Sequence, residues 1–218
     1  MVKVISFDLN ETLVSRDYVD YFWLELIPLE YAKQNNINFE KAFSYVISKY
    51  EEIGQDDIRW YLPEYWIRCF NLRTSLDELL EKTSFRIKIY SEVPEVLKEL
   101  HNRYTLIIST NTSIEFINLV IRKINKVIGY SVFYKVFSCV TNLGLPRKDK
   151  VFYEYICKEL KIKPSEILHV GDDLVYDYII PKSVGFKTLL ICRNFKRMNK
   201  IKKDIKMISN LRELLKFY

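Results

Sequence analysis

The chain has 218 residues, 49% of them hydrophobic and only five glycine, a balance that suits a compact globular protein and excludes a disordered one. Its net charge is +6, but charge also interrupts the apolar stretches, as Lys135 does within 127–140, so none reaches the ~18–20 residues of a membrane-spanning helix. Four scattered cysteines (Cys69, Cys139, Cys157, Cys192) and two distant histidines (His101, His169) argue against zinc clusters and disulfide frameworks. Reduced thiols and an N-terminus that turns polar after one short strand lead us to expect a cytoplasmic protein without a signal peptide.

Residues 2–7, Val-Lys-Val-Ile-Ser-Phe, read as a buried strand running into Asp8-Leu9-Asn10-Glu11-Thr12. From 15 to about 90 the pattern is helical, with apolar residues three and four apart in 17–34, 38–50, 56–70 and 75–82. Asp17, Asn38, Asp56 and Thr74 or Ser75 are the expected N-caps. Pro28 is expected to break or kink the first helix. After Tyr90 the rhythm becomes alternating. It gives a helix at 93–100, a strand at 104–109, a helix at 113–123 and a mixed stretch at 132–140 ending in a short strand. A helix at 149–161, a strand at 167–170, a helix at 174–184 disturbed by Pro181, a strand at 187–192 and a closing helix at 208–217 follow. Such alternation predicts an α/β fold with a parallel sheet. The ~75 helical residues after the first strand far exceed what one crossover needs, so a helical lobe is expected to interrupt the core.

Ligands of open parallel sheets bind at the carboxyl ends of the strands. There the chain places Asp8, Asn10 and Thr12, then Thr110 and Asn111, then Lys148 ahead of a helix, then Gly171-Asp172-Asp173 and Asp177. Each alone reads as a cap, a turn or a surface lysine; the ordered set is what points to a site. Crowded carboxylates call for a hard cation such as Mg²⁺. A carboxylate attacking phosphorus needs its substrate's charge neutralised, which a metal and a lysine supply.

These residues resemble the haloacid dehalogenase-like superfamily along essentially the whole chain. The first motif is Phe7-Asp8-Leu9-Asn10-Glu11-Thr12-Leu13 and the second Ile107-Ile108-Ser109-Thr110-Asn111. The third is Lys148, with Arg147 or Lys150 as alternatives, and the fourth Gly171-Asp172-Asp173-Leu174-Val175-Tyr176-Asp177. The resemblance implies a Rossmann-like core formed by 1–14 and 91–218, with a helical cap at 15–90. It implies that Asp8 is phosphorylated and that Asp8, the backbone carbonyl of Asn10 and Asp172 hold Mg²⁺. Asp173 or Asp177 would complete the metal surroundings or orient Lys148. Thr12, Thr110, Asn111 and Lys148 would hold the phosphoryl group of a small phosphorylated or anionic substrate.

Asn10 departs from the phosphatase pattern. In phosphatases of this superfamily an aspartate at this position protonates the leaving alcohol and then activates water, and asparagine can do neither. Loss of general acid–base catalysis typically costs 10²–10⁴-fold. The expected protein is therefore a Mg²⁺-dependent phosphatase that is slow or prefers good leaving groups such as acyl or aryl phosphates. The alternatives are a dehalogenase or phosphonatase, neither of whose usual patterns Asn10-Glu11 matches, and a binding or regulatory protein that has lost turnover. The 15–90 region is rich in aromatics, including all three tryptophans, Trp23, Trp60 and Trp66, which are expected to form the core of the helical lobe or to line an apolar pocket or a dimer surface. The basic stretch 193–206 is expected to be a solvated face; with Phe195 as its one aromatic it lacks the interleaving of a nucleic-acid patch. Sugar phosphates, nucleotides and phosphoglycolate-like acids are not distinguished by the sequence, and oligomeric state stays open.

Overall fold

A computed structural model describes residues 1–193 and 204–218; residues 194–203 of the basic stretch lie outside the described residues. Among the described residues, six parallel strands form one sheet in the order β3-β2-β1-β4-β5-β6. They are β1 (Val4–Phe7), β2 (Thr105–Thr110), β3 (Phe133–Ser138), β4 (Ile167–Gly171), β5 (Lys187–Ile191) and β6 (Met207–Ile208). β1 has no exposed residue, as a central strand covered on both faces requires. It pairs with β2 through Phe7↔Ile108 and with β4 through Phe7↔Val170, so the carboxyl ends of these three strands open at one level. The chain leaves β1 toward β2 and β3, then returns to the other side of β1 at β4. That reversal creates the crevice in which such sheets bind ligands.

Helices cover both faces. On one, α6 (Val93–His101) and α7 (Ile114–Ile128) pack apolar stripes that include Val96, Leu97, Leu100, Ile117, Val120 and Ile124. On the other, beyond the short α8 (Cys139–Leu143), α9 (Lys150–Leu160) buries Phe152, Tyr153 and Ile156 against Ile107 and Ile167. The α/β parallel fold expected from the alternating pattern is the one observed.

Between β1 and β2 lies the helical insertion. It comprises α1 (Asp17–Asp20), α2 (Ile27–Asn35), α3 (Phe39–Ile53), α4 (Pro63–Cys69) and α5 (Leu76–Ser84). Pro28 does not end the first helix. A π-helical stretch over Tyr21–Leu26 leads directly into α2, which carries Pro28 in its first turn, where a missing N–H costs least. Asn38 caps α3 by accepting from the Lys41 N–H at 3.0 Å, and Ser75 caps α5 in a reciprocal capping box with Glu78. The expected helix over 56–70 is broken. Pro63 forces a new start, leaving a 3₁₀ turn at Ile58–Tyr61 and then α4, and the turn's cap is Asp57 rather than Asp56. The closing helix is also corrected: Met207–Ile208 adds the edge strand β6, and only a 3₁₀ helix at Leu211–Lys216 follows.

The two connections to the insertion run side by side. Ser15 N–H donates to the Lys88 carbonyl at 3.0 Å, Tyr90 N–H to the Leu13 carbonyl at 3.2 Å, and Lys88 pairs with Asp17 at 2.8 Å. Arg193, the first of the expected solvated cations, instead turns inward. Its guanidinium lies 3.6 Å from the Tyr90 ring centroid, pairs with the buried Glu92 at 2.7 Å and donates to the carbonyls of Glu11 and Thr12. It thereby ties the loop after β1 to the returning connection.

Candidate active site

The strand ends deliver a buried ionic cluster. Asp8 leaves β1 with 5% exposure, and Lys148, in the loop before α9, reaches it at 2.7 Å with 4% exposure. The same ammonium donates to Asp177, which is 1% exposed. Of the three cations offered by the third motif, Lys148 is therefore the one that meets Asp8; Lys150 starts α9 facing solvent, and Arg147 sits at the cavity rim. Burial works against the Lys148 charge, but Asp177 and Asp8 outweigh it and hold its pKa well above the usual lysine range. Burial raises the Asp8 pKa despite Lys148 beside it. For Asp177, Lys148 and His169 overcome burial and hold the carboxyl below the usual range.

Gly171 makes this packing possible. A Cβ at that position would lie 2.6 Å from Asp177 Cβ, closer than real Cβ atoms approach, so only glycine leaves Asp177 room behind β4. Below the cluster, His169 is fully buried. Its Nε2 lies 2.9 Å from Asp177 Oδ1 and its Nδ1 2.8 Å from Ser6 Oγ, while Tyr153 Oη donates to the Tyr176 carbonyl at 2.7 Å and lies 3.2 Å from His169 Nε2. Buried polar networks of this kind rigidify a site when every member is satisfied.

Asp172 completes an acidic group. Oxygens of Asp8, Asp172 and Asp177 lie within 4.8 Å of one another. Burial, with Asp8 and Asp177 adding repulsion, pushes the Asp172 pKa up to about 8. Three carboxylates so close to one another are the hard-oxygen donor set that a divalent cation needs, and a cation would relieve the repulsion. Asp173 stands apart from this group: its carboxylate caps the following turn by accepting from the Val175 and Tyr176 N–H groups, each at 2.8 Å.

Asn10 is held at both ends. Its Nδ2 donates to Thr112 Oγ1 at 3.0 Å, and its Oδ1 accepts from the Tyr18 hydroxyl at 2.8 Å. Tyr18, on α1 of the insertion, is fully buried, and burial together with the nearby Asp8 charge raises its pKa strongly, so the hydroxyl stays a donor. Glu11 adopts φ 55°, a left-handed conformation uncommon outside glycine. Its carboxylate is committed elsewhere, accepting from the Arg16 N–H at 2.8 Å and the Tyr90 hydroxyl at 2.9 Å, so it does not stand in for the missing aspartate at position 10.

A cavity of about 290 Å³ opens above these groups, lined on the core side by Asp8, Asn10, Asn111, Lys148, Asp172 and Asp177. Thr12 and Thr110 are fully buried and do not line it. The Thr110 hydroxyl lies 3.3 Å from that of Thr112, which does. Ser113 also lines the cavity, and its hydroxyl has no hydrogen-bond partner among the described residues. The sequence reading missed Tyr18, Thr112, Ser113 and His169. The run Thr110-Asn111-Thr112-Ser113 was the available signal for two of them; nothing local marks Tyr18 or His169.

Residues 2–185 match the family of haloacid dehalogenase-like hydrolases. The chain belongs to that family. A GMP/IMP nucleotidase (YrfG) of Escherichia coli strain K12 is 28% identical over 65 residues, which span 30% of this chain and 29% of that protein. A haloacid dehalogenase-like phosphatase from Thermococcus onnurineus superposes with a TM-score of 0.80 at 21% identity, covering 99% of this chain and 97% of the other. A 2-haloacid dehalogenase from Pseudomonas syringae pv. Tomato DC3000 superposes with a TM-score of 0.66 at 18% identity, over 99% and 97% of the two chains. Both structural likenesses establish the fold. Among the described residues no helix is long and apolar enough to cross a membrane.

Proposed function

We propose that this hydrolase is a Mg²⁺-dependent phosphatase of a small phosphorylated substrate, working through an aspartyl phosphate on Asp8. The observation that carries the reading is Lys148 bridging Asp8 and Asp177 with Asp172 alongside. A phosphoryl group matches a lysine, the hydroxyls of Thr112 and Ser113 and a carboxylate triad able to hold a charge-neutralising cation.

Asp8, Asp172 and Asp177 would hold the Mg²⁺, with the Asn10 backbone carbonyl as a further ligand. Bound there, the ion would neutralise carboxylate and phosphoryl charge. The Asp8 carboxylate oxygen attacks phosphorus as the bond to the leaving oxygen breaks. Lys148 binds the transferring phosphoryl oxygens, and Asn111, Thr112 and Ser113 offer it hydrogen bonds from the end of β2. Asp177 and His169 hold Lys148 in place. Water then attacks phosphorus, the bond to Asp8 breaks, and the carboxylate is restored. Asn10 orients Thr112 but carries no proton, so the leaving group departs without an acid beside it. The insertion 15–90 acts as the cap that covers the site, on a core formed by 1–14 and 91–218.

The test is release of inorganic phosphate from phenyl phosphate and glycerol 3-phosphate with and without Mg²⁺. Asp8→Asn abolishes turnover, and undiminished turnover in that variant sinks the nucleophile assignment. Asn10→Asp raises turnover of the alkyl ester by about 10²-fold or more. The rotatable Thr112 hydroxyl can donate to the new carboxylate, so the fold is kept. Purine nucleoside monophosphates belong in the panel because of the nucleotidase similarity.

A further inference from the structure

The roof of the cavity comes from the insertion and is aromatic. Trp23 and Trp60 line it, with Tyr61 beside them, facing Phe116 of α7 and Tyr176 of the core. Trp66, the third tryptophan, is 1% exposed and belongs to the interior of the helical lobe, whereas Trp23 and Trp60 are only half-buried. The two lining tryptophans are held by their own backbones. The Trp23 carbonyl accepts from the Tyr50 hydroxyl and the Trp60 carbonyl from the Trp66 indole N–H, each at 3.3 Å. Trp23 also packs edge-on against Phe116 at 6.1 Å between ring centroids. These contacts fix the backbone that carries the two rings, so less has to be ordered on binding.

The charges at the rim are already matched. Arg16 pairs with Asp20 at 3.1 Å. Arg147 pairs with Asp56 of the insertion at 2.7 Å and donates to the Tyr176 hydroxyl at 2.9 Å. With Lys148 committed to Asp8 and Asp177, every cation that lines the cavity among the described residues faces a carboxylate. A second anionic group on the substrate would find no unmatched cation there.

Size and chemistry converge on the same ligand. About 290 Å³ lies at the lower end of the ~300–1,000 Å³ usual for ligand pockets, and the phosphoryl group must share it. What is left suits a small leaving group, and its apolar walls are mostly aromatic. Asn10 supplies no proton to the leaving oxygen. A phenol ionises near pH ~10, as tyrosine does, whereas alkyl alcohols, like water, are far weaker acids. A phenolate can therefore leave unaided where an alkoxide cannot.

We infer that the cavity is specific for an aryl phosphate monoester whose leaving group is a single uncharged aromatic ring, held between Trp23, Trp60 and Tyr61. The inference rests on the phosphatase reading and adds the substrate class to it. The Asp8 oxygen forms its bond to phosphorus as the phosphorus–aryl oxygen bond breaks, and the electron pair leaves with the phenolate. Water then displaces Asp8, giving hydrogen phosphate, and the second proton of that water reaches the phenolate through solvent.

The experiment compares kcat/KM for phenyl phosphate, acetyl phosphate (a good leaving group with no ring), glycerol 3-phosphate and a nucleoside 5′-monophosphate, in wild type, Trp60→Ala and Trp60→Phe. Phenyl phosphate is the preferred substrate of the wild type. Trp60→Ala lowers its kcat/KM relative to that of acetyl phosphate about five- to tenfold, chiefly through KM, and Trp60→Phe restores most of the ratio. An equal loss on both substrates, or a preference for acetyl phosphate or the nucleotide, overturns the inference and leaves the phosphatase reading standing. If no phosphate is turned over with Mg²⁺, that reading fails, and calorimetric binding of phenylphosphonate against methylphosphonate decides the pocket. Selective binding of the phenyl compound, weakened by Trp60→Ala, retains the ring site; equal binding or none removes it.

Discussion

The floor and the roof of the cavity are built on different terms. The floor is the sheet end: Asp8, Lys148 and Asp177 are nearly inaccessible, each bonded to another of the three, and backed by His169, Ser6 and Tyr153. Moving one of these groups strands a buried charge, which costs ~3–5 kcal/mol when one partner of such a pair is removed. The roof is helical, half-exposed and tied to the core at its edge by the Arg147–Asp56 ion pair, whose aspartate side chain is 91% exposed. Such a pair contributes ~0–1 kcal/mol. On the proposed function the difference separates tasks: chemistry would reside where geometry is over-determined, and selection where a small free-energy change can open or reshape the wall.

The contrast is broken most forcefully at Gly171. Gly171→Ala places a methyl group against Asp177, displacing it from Lys148. Turnover falls by about 10²-fold or more, and stability falls by ~1–3 kcal/mol as in other overpacked cores; steady-state kinetics and urea unfolding read the two. A fully active alanine variant would mean that the Lys148–Asp177 contact does not hold the floor together.

A smaller effect comes from Asp172, whose pKa near 8 lies above its unfolded value of 3.8. Between those values the folded protein keeps a proton that the unfolded chain has lost, so this group makes the metal-free protein less stable as pH rises from about 4 to about 8. Mg²⁺ held there as proposed would take the carboxylate form, so its affinity would weaken by up to tenfold per pH unit below about 8, with proton release on binding. Calorimetry in buffers of different ionisation enthalpy measures the proton count. Thermal unfolding shows a larger Mg²⁺ stabilisation at pH 8 than at pH 6. A pH-independent affinity would remove Asp172 from the metal set.

The smallest expected change is at the roof's edge. Asp56→Ala removes the tie to Arg147 and raises KM for phenyl phosphate about two- to fivefold, with stability shifted by no more than ~0.5 kcal/mol. Loss of kcat at unchanged KM would place Asp56 in the chemistry of the floor instead.

Much of the floor was legible because it lies at strand ends. A strand delivers its last residue to the same edge whatever the loops do, so Asp8 after Phe7 and Asp172 after Gly171 could be placed together by order alone. Lys148 was one of three candidates until the fold turned its ammonium onto Asp8. Asp173 looked equivalent to Asp172 in Gly-Asp-Asp, yet its carboxylate is used as a helix cap. Thr12 and Thr110 fit their motifs, yet both point into the protein and off the cavity wall, where Thr112 and Ser113 appear instead. Pro63 was a local signal that should have split the helix at 56–70; apolar spacing across it hid the break. In the insertion, the apolar spacing that marks helices says which residues are inward but not which inward residues meet the cavity, so Trp66 and Trp60 read alike.

The amino-acid sequence by itself determined the alternation of strands and helices, the helical insertion, the carboxylates at the strand ends and the absence of a proton carrier at position 10. These depend on local periodicity and on residue identity. Only the tertiary structure decided that Tyr18 and Thr112 pin Asn10, that Gly171 makes room for Asp177, that Arg193 turns inward and that Trp23 and Trp60 face the site while Trp66 does not. Each of those is a meeting of segments distant in the chain, set by how helices pack on the sheet, and no spacing along the sequence encodes it.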